Sequence, residues 1–373
     1  MTYAKTAKRT KVCFVCPKAY PLFNPAVTSV FGGAEVDLYL LATELAKDDA
    51  FDVSCITADY AQPETEQIEN VTIIKSLDFK QNQITGAIKI WKAMKKADAQ
   101  VYMLETLSLG IPLAAIFCRL NNISLVYRTA STRECDGTYL RAHPLIARLI
   151  FHFLRKSGNV IVQNDSDRDE FLLSVKVKSK VIANGQRLPK EISMQKNEIL
   201  WVGRSDPVKR PEIFLELAKR VDAPFTMICQ KATGDDNYQA LLEDAKNIPN
   251  LTFIERVPFG EIDTFFRNAK VLVNTSDSEG FPNTFIQAAK YATAILSLNV
   301  DPDNFLQKYN CGVCCQSRKD NMDEQLSEML DKDRSKEMGL RGREYVKDHH
   351  DVDKVMDQYK PIFRELVKST DLH

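Results

Sequence analysis

The sequence predicts an α/β protein with two doubly wound, Rossmann-like domains, and three observations support this prediction. The chain has 373 residues, whereas single hydrophobic cores stop growing near roughly 250–300 residues. Short apolar segments of the buried parallel-strand type alternate with segments of helical periodicity in both halves. In each half, glycines or cations lie between a strand and a helix, where the helix N-terminus offers free backbone N–H groups to an anion.

Composition narrows the class of protein. Hydrophobic residues make up 44% and charged residues 27% of the chain, which is typical of a soluble globular protein. The sequence has no signal-peptide pattern and no apolar run near the ~20 residues of a membrane span. The nine cysteines are scattered among apolar positions, as expected for reduced thiols in the cytoplasm. The sequence lacks a basic face interleaved with aromatic residues, which is the pattern that would indicate nucleic-acid binding.

Charge is divided unevenly although the net charge is zero. Residues 1–190 contain 25 Lys and Arg against 19 Asp and Glu, and residues 191–373 contain 25 against 31. A basic N-terminal half suits an anionic partner, such as a phospholipid surface or a diphosphate-linked acceptor. A chance imbalance is an equally open explanation.

The first domain is predicted to span residues 1–188. Gly32 and Gly33 follow its first strand and precede a helix, so that a phosphate or sugar can approach the backbone closely, although a plain tight turn also explains them. The helix predicted at residues 144–156 mixes apolar and basic side chains, which fits either a membrane surface or a helix packed on a sheet with a basic outer rim. Strands are expected at residues 11–16, 51–57, 71–74, 100–104, 124–127 and 160–162, with helices between them.

Polar residues that follow the strands of this domain are the candidates for its binding site. Ligands of doubly wound sheets bind beyond the carboxyl ends of the strands. Glu105 follows one strand, and Arg128 and Ser131 follow another, with Asp136 in the same loop. We therefore expect Glu105, Arg128, Ser131 and Asp136 on the acceptor side of the site.

The second domain is predicted to span residues 189–355 and contains two motifs. A strand ends at Gly203-Arg204, and Lys209 precedes the next helix, so that two cations meet at a strand end and a helix N-terminus. The second motif lies within residues 274–297. A strand there leads to Glu279, and a helix opens at Pro282 with Asn283 and Thr284 in its first turn and Gln287 one turn further on.

Together these motifs resemble the donor site of family 4 retaining glycosyltransferases of the GT-B fold, also described as glycosyl transferases group 1. That family has a Glu, then Gly-Phe-Pro or Gly-Phe-Gly, and a second Glu eight positions after the first. Here Glu279 is the first acid, and Gln287 replaces the second. The resemblance implies that residues 356–373 pack back onto the first domain and that the two domains face a central cleft. It implies donor contacts by Gly32, Gly33, Gly203, Arg204, Lys209, Val257, Pro258, Glu279, Gly280, Phe281, Pro282, Asn283, Thr284 and Gln287.

Within that set the resemblance implies separate roles. Arg204 and Lys209 would clamp the donor diphosphate, and Glu279 would contact the donor sugar. Val257 and Pro258 would form the edge that stacks on the base. Gln287 stands where the family holds the ribose hydroxyls, and it can accept a hydrogen bond there but lacks the charge of Glu.

The implied activity is transfer of a hexose-type sugar from a nucleoside diphosphate, with UDP favoured and GDP possible, to an acceptor hydroxyl with retention of configuration. No cofactor and no essential metal are expected. The acceptor would be a saccharide or lipid-linked saccharide in cell-surface polysaccharide or glycolipid assembly, handled in the cytoplasm or at the inner membrane face. A non-catalytic nucleotide-sugar-binding or scaffold protein remains an alternative, as does an epimerase or phosphorylase-like enzyme of the same fold.

Overall fold

The computed structural model describes residues 9–193 and 195–370. The chain divides into two compact units: Gly185 ends the first, Gln186–Asp351 form the second, and the residues from Val352 on return to the first. These divisions lie three and four residues before the predicted ones, at 188/189 and 355/356. The predicted outer limits at residues 1 and 373 lie outside the described residues.

Unit 1 is a parallel α/β domain built around β1. The residues Val12, Cys13 and Phe14 of β1 are fully buried, because neighbouring strands flank β1 and helices cover both faces of the sheet. The elements before the crossing to unit 2 are β1 (Thr10–Val15), α1 (Tyr20–Phe23), α2 (Gly33–Leu45), β2 (Phe51–Thr57), β3 (Thr65–Ile68), β4 (Val71–Lys75), α3 (Gln83–Ala97), β5 (Val101–Glu105), α4 (Gly110–Leu120), β6 (Ser124–Arg128), α5 (Thr138–Ala142), α6 (Pro144–Ser157), β7 (Val160–Val162), α7 (Asp165–Val175) and β8 (Lys180–Val181).

The sheet of unit 1 has the strand order β3-β4-β2-β1-β5-β6-β7-β8. Only β3 runs antiparallel, pairing Thr65 with Ile74, and the sequence did not predict it because its residues are polar and half exposed. Right-handed crossovers from β4 to β5, β5 to β6 and β6 to β7 all run in the same direction along the sheet. Helices α3, α4 and α6 therefore cover one face, and α2 covers the other.

Unit 2 repeats the same plan with a sheet that is parallel throughout, in the order β11-β10-β9-β12-β13-β14. Parallel strands joined by helices place all carboxyl ends at one edge. The elements are β9 (Glu198–Arg204), α8 (Pro211–Arg220), β10 (Phe225–Gln230), α9 (Tyr238–Lys246), β11 (Leu251–Ile254), α10 (Ile262–Asn268), β12 (Ala269–Asn274), α11 (Asn283–Lys290), β13 (Ala294–Ser297), α12 (Phe305–Lys308), β14 (Gly312–Cys314), α13 (Met322–Met329) and α14 (Lys332–His349).

The last helix, α15 (Val352–Thr370), belongs to unit 1. It packs against α2 and β1, and the Lys360 ammonium lies 2.9 Å from the Asp48 carboxylate that follows α2. The return of the C-terminal helix to the first domain, which the sequence predicted, is therefore confirmed. Along the described residues, no helix combines the length and the apolar composition needed to cross a bilayer.

A close approach of α14 to the turn after α11 fixes a glycine in unit 2. A Cβ atom on Gly339 would lie 2.0 Å from the carbonyl oxygen of Ala292, which is backbone and has no rotamer to change. One turn further along α14, a Cβ atom on Gly342 would lie 3.4 Å from the Cβ atoms of Ala289 and Cys311, which is ordinary contact. Only the first position therefore demands glycine.

We expect Gly339→Ala to lower the free energy of unfolding by about 2–3 kcal/mol, because α14 must move away from the turn. Gly342→Ala is the matched control, and it should be neutral or stabilise by up to about 1 kcal/mol, since Ala favours the helix. Urea unfolding followed by circular dichroism measures both variants. Equal stability of the two variants would contradict this packing.

Candidate functional site

The candidate site of unit 2 is built around the carboxylate of Glu279. Strand β12 ends at Asn274, and the Asn274 amide donates a hydrogen bond of 2.8 Å to Glu279 Oε1. The Ser276 hydroxyl donates to the same oxygen at 2.6 Å. The second oxygen, Oε2, accepts a hydrogen bond from the Lys209 ammonium. Three donors on two loops thus fix a side chain that is only 14% exposed.

The electrostatics of this cluster keep Glu279 ionised. Burial by itself would raise the pKa of Glu279, but the Lys209 charge and the hydrogen bonds from Lys209, Ser276 and Asn274 outweigh it, so that the pKa lies below its ordinary value. An ionised carboxylate only accepts hydrogen bonds. Glu279 can therefore bind hydroxyl groups of a ligand.

A chain of hydrogen bonds holds Lys209 in place beside Glu279. The indole N–H of Trp201 donates to Thr275 Oγ1 at 2.9 Å, and the Thr275 hydroxyl donates in turn to the Lys209 carbonyl at 2.6 Å. Gly203 makes room for this arrangement, because a Cβ atom there would lie 2.8 Å from the Trp201 ring. The loops after β9 and β12 are thus tied together through buried side chains.

The second predicted cation, Arg204, ends β9 at the same edge of the sheet. Its Nη2 atom lies 2.7 Å from Asp206 Oδ2, and its side chain is 41% exposed. Because β9 and β12 are adjacent parallel strands, Arg204, Lys209 and Glu279 belong to one edge. A partly exposed guanidinium and a fixed ammonium at one edge of a sheet are an arrangement suited to a diphosphate.

The start of α11 adds backbone donors to this edge. The helix begins at Asn283 after Pro282, and no side chain caps it. Its first N–H groups, at Asn283 and Thr284, carry the positive end of the helix dipole. Gln287 lies one turn inside the helix and is only 7% exposed.

The aromatic ring in this motif has a packing role. Phe281 is buried, and its ring centroid lies 5.0 Å from that of Phe305 and 4.5 Å from that of His350. Gly280 and Pro282, on either side, are also buried. Val257 and Pro258 follow β11, with Val257 buried. Their contact with a base stays a prediction.

In unit 1 the predicted residues Glu105 and Arg128 lie inside the domain. The Arg128 guanidinium donates to Glu105 Oε1 at 2.7 Å and to Asp37 Oδ2 at 3.1 Å, and it also donates to the Asn184 side chain. Arg128 is 1% exposed and the Glu105 side chain is fully buried. Burial raises the pKa of Glu105 despite the nearby Arg128 charge.

This buried ion cluster joins distant parts of the chain. Asp37 belongs to α2, Asn184 lies just before the crossing to unit 2, and Tyr359 of α15 is buried within the influence of the Arg128 charge, although its hydroxyl has no hydrogen-bond partner among the described residues. The sequence analysis did not single out Asp37, although a lone acid in the apolar run Val36–Leu41 was a usable signal. The structure therefore gives Arg128 and Glu105 a role in joining elements, and their contact with an acceptor stays a prediction.

The remaining predicted residues of unit 1 shape loops. Ser131 Oγ accepts a hydrogen bond from the Arg133 N–H at 3.3 Å, and Asp136 Oδ1 accepts one from the Thr138 N–H at 2.7 Å. Gly32 precedes α2, and its N–H donates to the Glu35 carboxylate at 2.7 Å. Gly33 is the first residue of α2. Ser131 and Asp136 lie between β6 and α5, and Gly32 and Gly33 lie between β1 and the first turn of α2.

Comparison with solved structures identifies the architecture as the GT-B fold, with two Rossmann-like domains. The sucrose-phosphate synthase of Thermosynechococcus elongatus superposes with a TM-score of 0.77 over 97% of this chain and 100% of its own, at 15% identity. HepE of Anabaena, solved with UDP and glucose, superposes with a TM-score of 0.71 over 96% of this chain and 100% of its own, at 13% identity. The predicted fold class is confirmed.

Sequence comparison then finds a family model that matches the second unit. Residues 186–345 match the family model described as glycosyl transferases group 1. An uncharacterised glycosyltransferase of Methanocaldococcus jannaschii is 24% identical over 200 residues, which are 51% of this chain and 55% of that protein. The match therefore spans about half of that curated relative, and unit 2 carries the similarity to the family model.

Arg128→Gln tests the structural role of the buried ion cluster. It leaves Glu105 and Asp37 buried without their cation, so we expect the free energy of unfolding to fall by about 3–5 kcal/mol. Arg133→Gln is the matched control, since Arg133 is exposed in the loop that follows β6, and it should change stability by less than about 0.5 kcal/mol. Wild-type stability of Arg128→Gln in urea unfolding would contradict the structural role.

The pH dependence of unfolding tests the state of Glu279. A carboxyl whose pKa is lower in the folded chain than in the unfolded chain stabilises the fold above its unfolded pKa, and it loses that contribution as the pH falls through the folded value. Glu279→Gln should therefore destabilise by about 1–3 kcal/mol at pH 7 and by progressively less below about pH 4.5. The exposed substitution Glu261→Gln is the control. A pH-independent effect of Glu279→Gln would show that the carboxylate charge is not stabilised.

Proposed function

We propose that the protein is a retaining glycosyltransferase that moves a hexose-type sugar from a nucleoside-diphosphate donor to an acceptor hydroxyl. The observation that carries this proposal is the Lys209–Glu279 pair, held by Asn274, Ser276 and Thr275 at the same edge of the sheet as Arg204 and the start of α11. This edge combines cations and backbone N–H groups for a diphosphate with one ionised carboxylate for sugar hydroxyls. The match of residues 186–345 to group 1 glycosyl transferases supports it.

In the proposed reaction the bond from the anomeric carbon to the donor phosphate breaks, and the bond to the acceptor oxygen forms on the same face of the sugar. The leaving diphosphate gains negative charge, which Arg204, Lys209 and the N–H groups of Asn283 and Thr284 stabilise. Glu279 accepts hydrogen bonds from the sugar and fixes its orientation. The leaving phosphate takes the acceptor proton, so that this step needs no protein base.

The ammonium of Lys209 can serve both partners. It has three N–H donors, and its side chain is 25% exposed, so that a phosphate oxygen can bind while the contact with Glu279 remains. Arg204 can exchange its contact with Asp206 for the phosphate, since it is the more exposed of the two cations. The donor thus completes a cluster whose carboxylate is already fixed.

Further parts of the proposal concern the donor, the acceptor and the place of reaction. UDP is the favoured nucleotide, since HepE was solved with UDP and glucose, and no essential metal or cofactor takes part. The acceptor is a saccharide or lipid-linked saccharide used in cell-surface polysaccharide or glycolipid assembly. The protein works in the cytoplasm, at the inner face of the membrane.

A non-catalytic protein that binds nucleotide sugars is the second candidate, and Gln287 is the observation that favours it. A neutral amide at this position holds ribose hydroxyls less strongly than a carboxylate does. Such a protein would bind the donor without breaking it. Donor hydrolysis in the absence of an acceptor separates the two functions, because a transferase hydrolyses its donor slowly and a binding protein does not.

Thermal unfolding with UDP, GDP, ADP and TDP, each with and without EDTA, tests the donor site. One nucleotide, UDP by preference, should stabilise the protein by about 2.7 kcal/mol at one hundred times its Kd, and EDTA should not change this shift. Arg204→Ala should abolish most of it, because the diphosphate loses a charged partner. Lys219→Ala is the control, since Lys219 pairs with Asp244 away from the site.

Three outcomes would contradict parts of the proposal. No shift with any nucleotide would show that the donor site does not bind these diphosphates. A shift abolished by EDTA would overturn metal independence. A shift without donor hydrolysis, and without transfer to any of a panel of saccharides, would favour the binding protein.

A further inference from the structure

Three neighbouring helices of unit 1 lack acidic residues entirely. Helices α3, α4 and α6 contain 15, 11 and 14 residues, with eight Lys or Arg and no Asp or Glu. The whole chain has 50 residues of each sign, so eight cations would ordinarily be accompanied by about as many acids. Since α3 packs on α4 and α4 on α6, they form one continuous layer, which we call the basic layer.

The outer side of the basic layer is also unusually apolar. Of the thirteen large hydrophobic side chains exposed on the described residues, seven belong to these three helices, and only Leu340 belongs to unit 2. Leu120 is 71% exposed and Leu145 is 79% exposed. The others include Ile84 and Ile88 on α3, Ile116 on α4 and Leu149 on α6.

The helices do not need these side chains for packing within the domain. Each helix buries a separate stripe against the sheet, such as Ile90 and Met94 on α3, Phe117 on α4 and Phe151 on α6. The exposed apolar residues therefore lie on the opposite side from the core. Because the basic layer has apolar side chains on its outer side as well as on the side that faces the core, its outer surface is suited to contact with an apolar environment outside the protein.

The cations of the basic layer are available to a partner. Among the described residues none of the eight forms an ion pair with an acid, although Lys96 and Arg155 donate to the backbone carbonyls of Glu64 and Val175. The surface is bounded on one side by α7, which contacts α6 through Phe171 and Phe151 and carries exposed acids. At the C-terminal end of α3, Asp98 is paired with Lys11 at 2.7 Å.

From this combination we infer that the basic layer is the surface by which the protein binds an anionic phospholipid bilayer. Exposed Leu and Ile side chains enter the interface between headgroups and acyl chains, and Lys and Arg side chains contact lipid phosphates. An acidic protein partner could also pair with these cations. Protein surfaces carry charges of both signs, however, so we would expect the basic layer to contain some acids that pair with cations of such a partner, and it contains no Asp or Glu. The inference identifies the surface that would hold the protein at the proposed location, the membrane face. It rests on the proposed function only for the purpose that this membrane binding serves.

Flotation with vesicles of phosphatidylglycerol and phosphatidylcholine, compared with phosphatidylcholine alone, tests the inference. The wild type should float with the anionic vesicles and much less at 0.5 M salt, because screening shortens the reach of the charges. Arg119→Gln with Arg148→Gln should weaken binding about thirtyfold, from about 1 kcal/mol for each cation near the surface. The matched control, Lys308→Gln with Lys336→Gln, removes the same charge from exposed positions of unit 2 and should change binding less than about threefold.

A second pair of substitutions tests the apolar contribution. Leu120→Ser with Leu145→Ser should weaken binding at least about tenfold, whereas Leu340→Ser in unit 2 should not. Absence of binding to anionic vesicles, or equal losses in the test and control pairs, would overturn the inference. The inference would also be overturned if the wild type sediments as a dimer and Leu120→Ser with Leu145→Ser sediments as a monomer, because the surface would then bind a second copy of the chain.

The nucleotide measurements keep this inference separate from the proposed function. All variants of the basic layer should retain the wild-type melting temperature and its shift with UDP, which also shows that they fold. If the wild type shows the UDP shift but does not bind anionic vesicles, only the membrane inference is overturned. Vesicle binding without a nucleotide shift would overturn the donor site alone.

Discussion

The ionised carboxylate of Glu279 is the constraint on which the candidate site depends. A charge that is largely removed from water must be compensated by donors in good geometry, and here Lys209, Ser276 and Asn274 provide them. Because these donors come from the loops after two adjacent parallel strands, the carboxylate also fixes the loops relative to each other. The site is therefore preorganised, and a ligand does not need to assemble it.

The buried ions of unit 1 follow the same electrostatic rule with a different result. Arg128 is surrounded by Asp37, Glu105 and Asn184 inside the domain, whereas Lys209 and Arg204 keep part of their side chains in water. A cation enclosed by its own partners joins elements of the fold, and a cation at a strand end with solvent on one side can bind an anion. The degree to which a cation is buried, and not its residue type, therefore decides which of these two roles it has.

The sequence could predict the fold because both sheets are parallel and their strands are apolar runs, as in Val12–Phe14. It could also place Glu279, Arg204 and Lys209 at one edge, since carboxyl ends of parallel strands coincide. It could not predict the pairing of Arg128 with Asp37, 91 residues away, nor the inward direction of the Phe281 ring. Such contacts depend on helix rotation and loop geometry, and the polar, half-exposed strand β3 lacks the apolar pattern that revealed the others.

The charge asymmetry of the sequence acquires a location in the structure. Residues 1–190 have six more cations than acids, and the basic layer alone contributes eight cations. Without these three helices the same half would have 17 cations against 19 acids, which is close to balance. The asymmetry therefore belongs to one face of one unit and is not spread over the domain. A long-range field from a single face gives a protein a preferred orientation at a charged surface, and the exposed apolar residues on that face supply the short-range contact that charge alone does not.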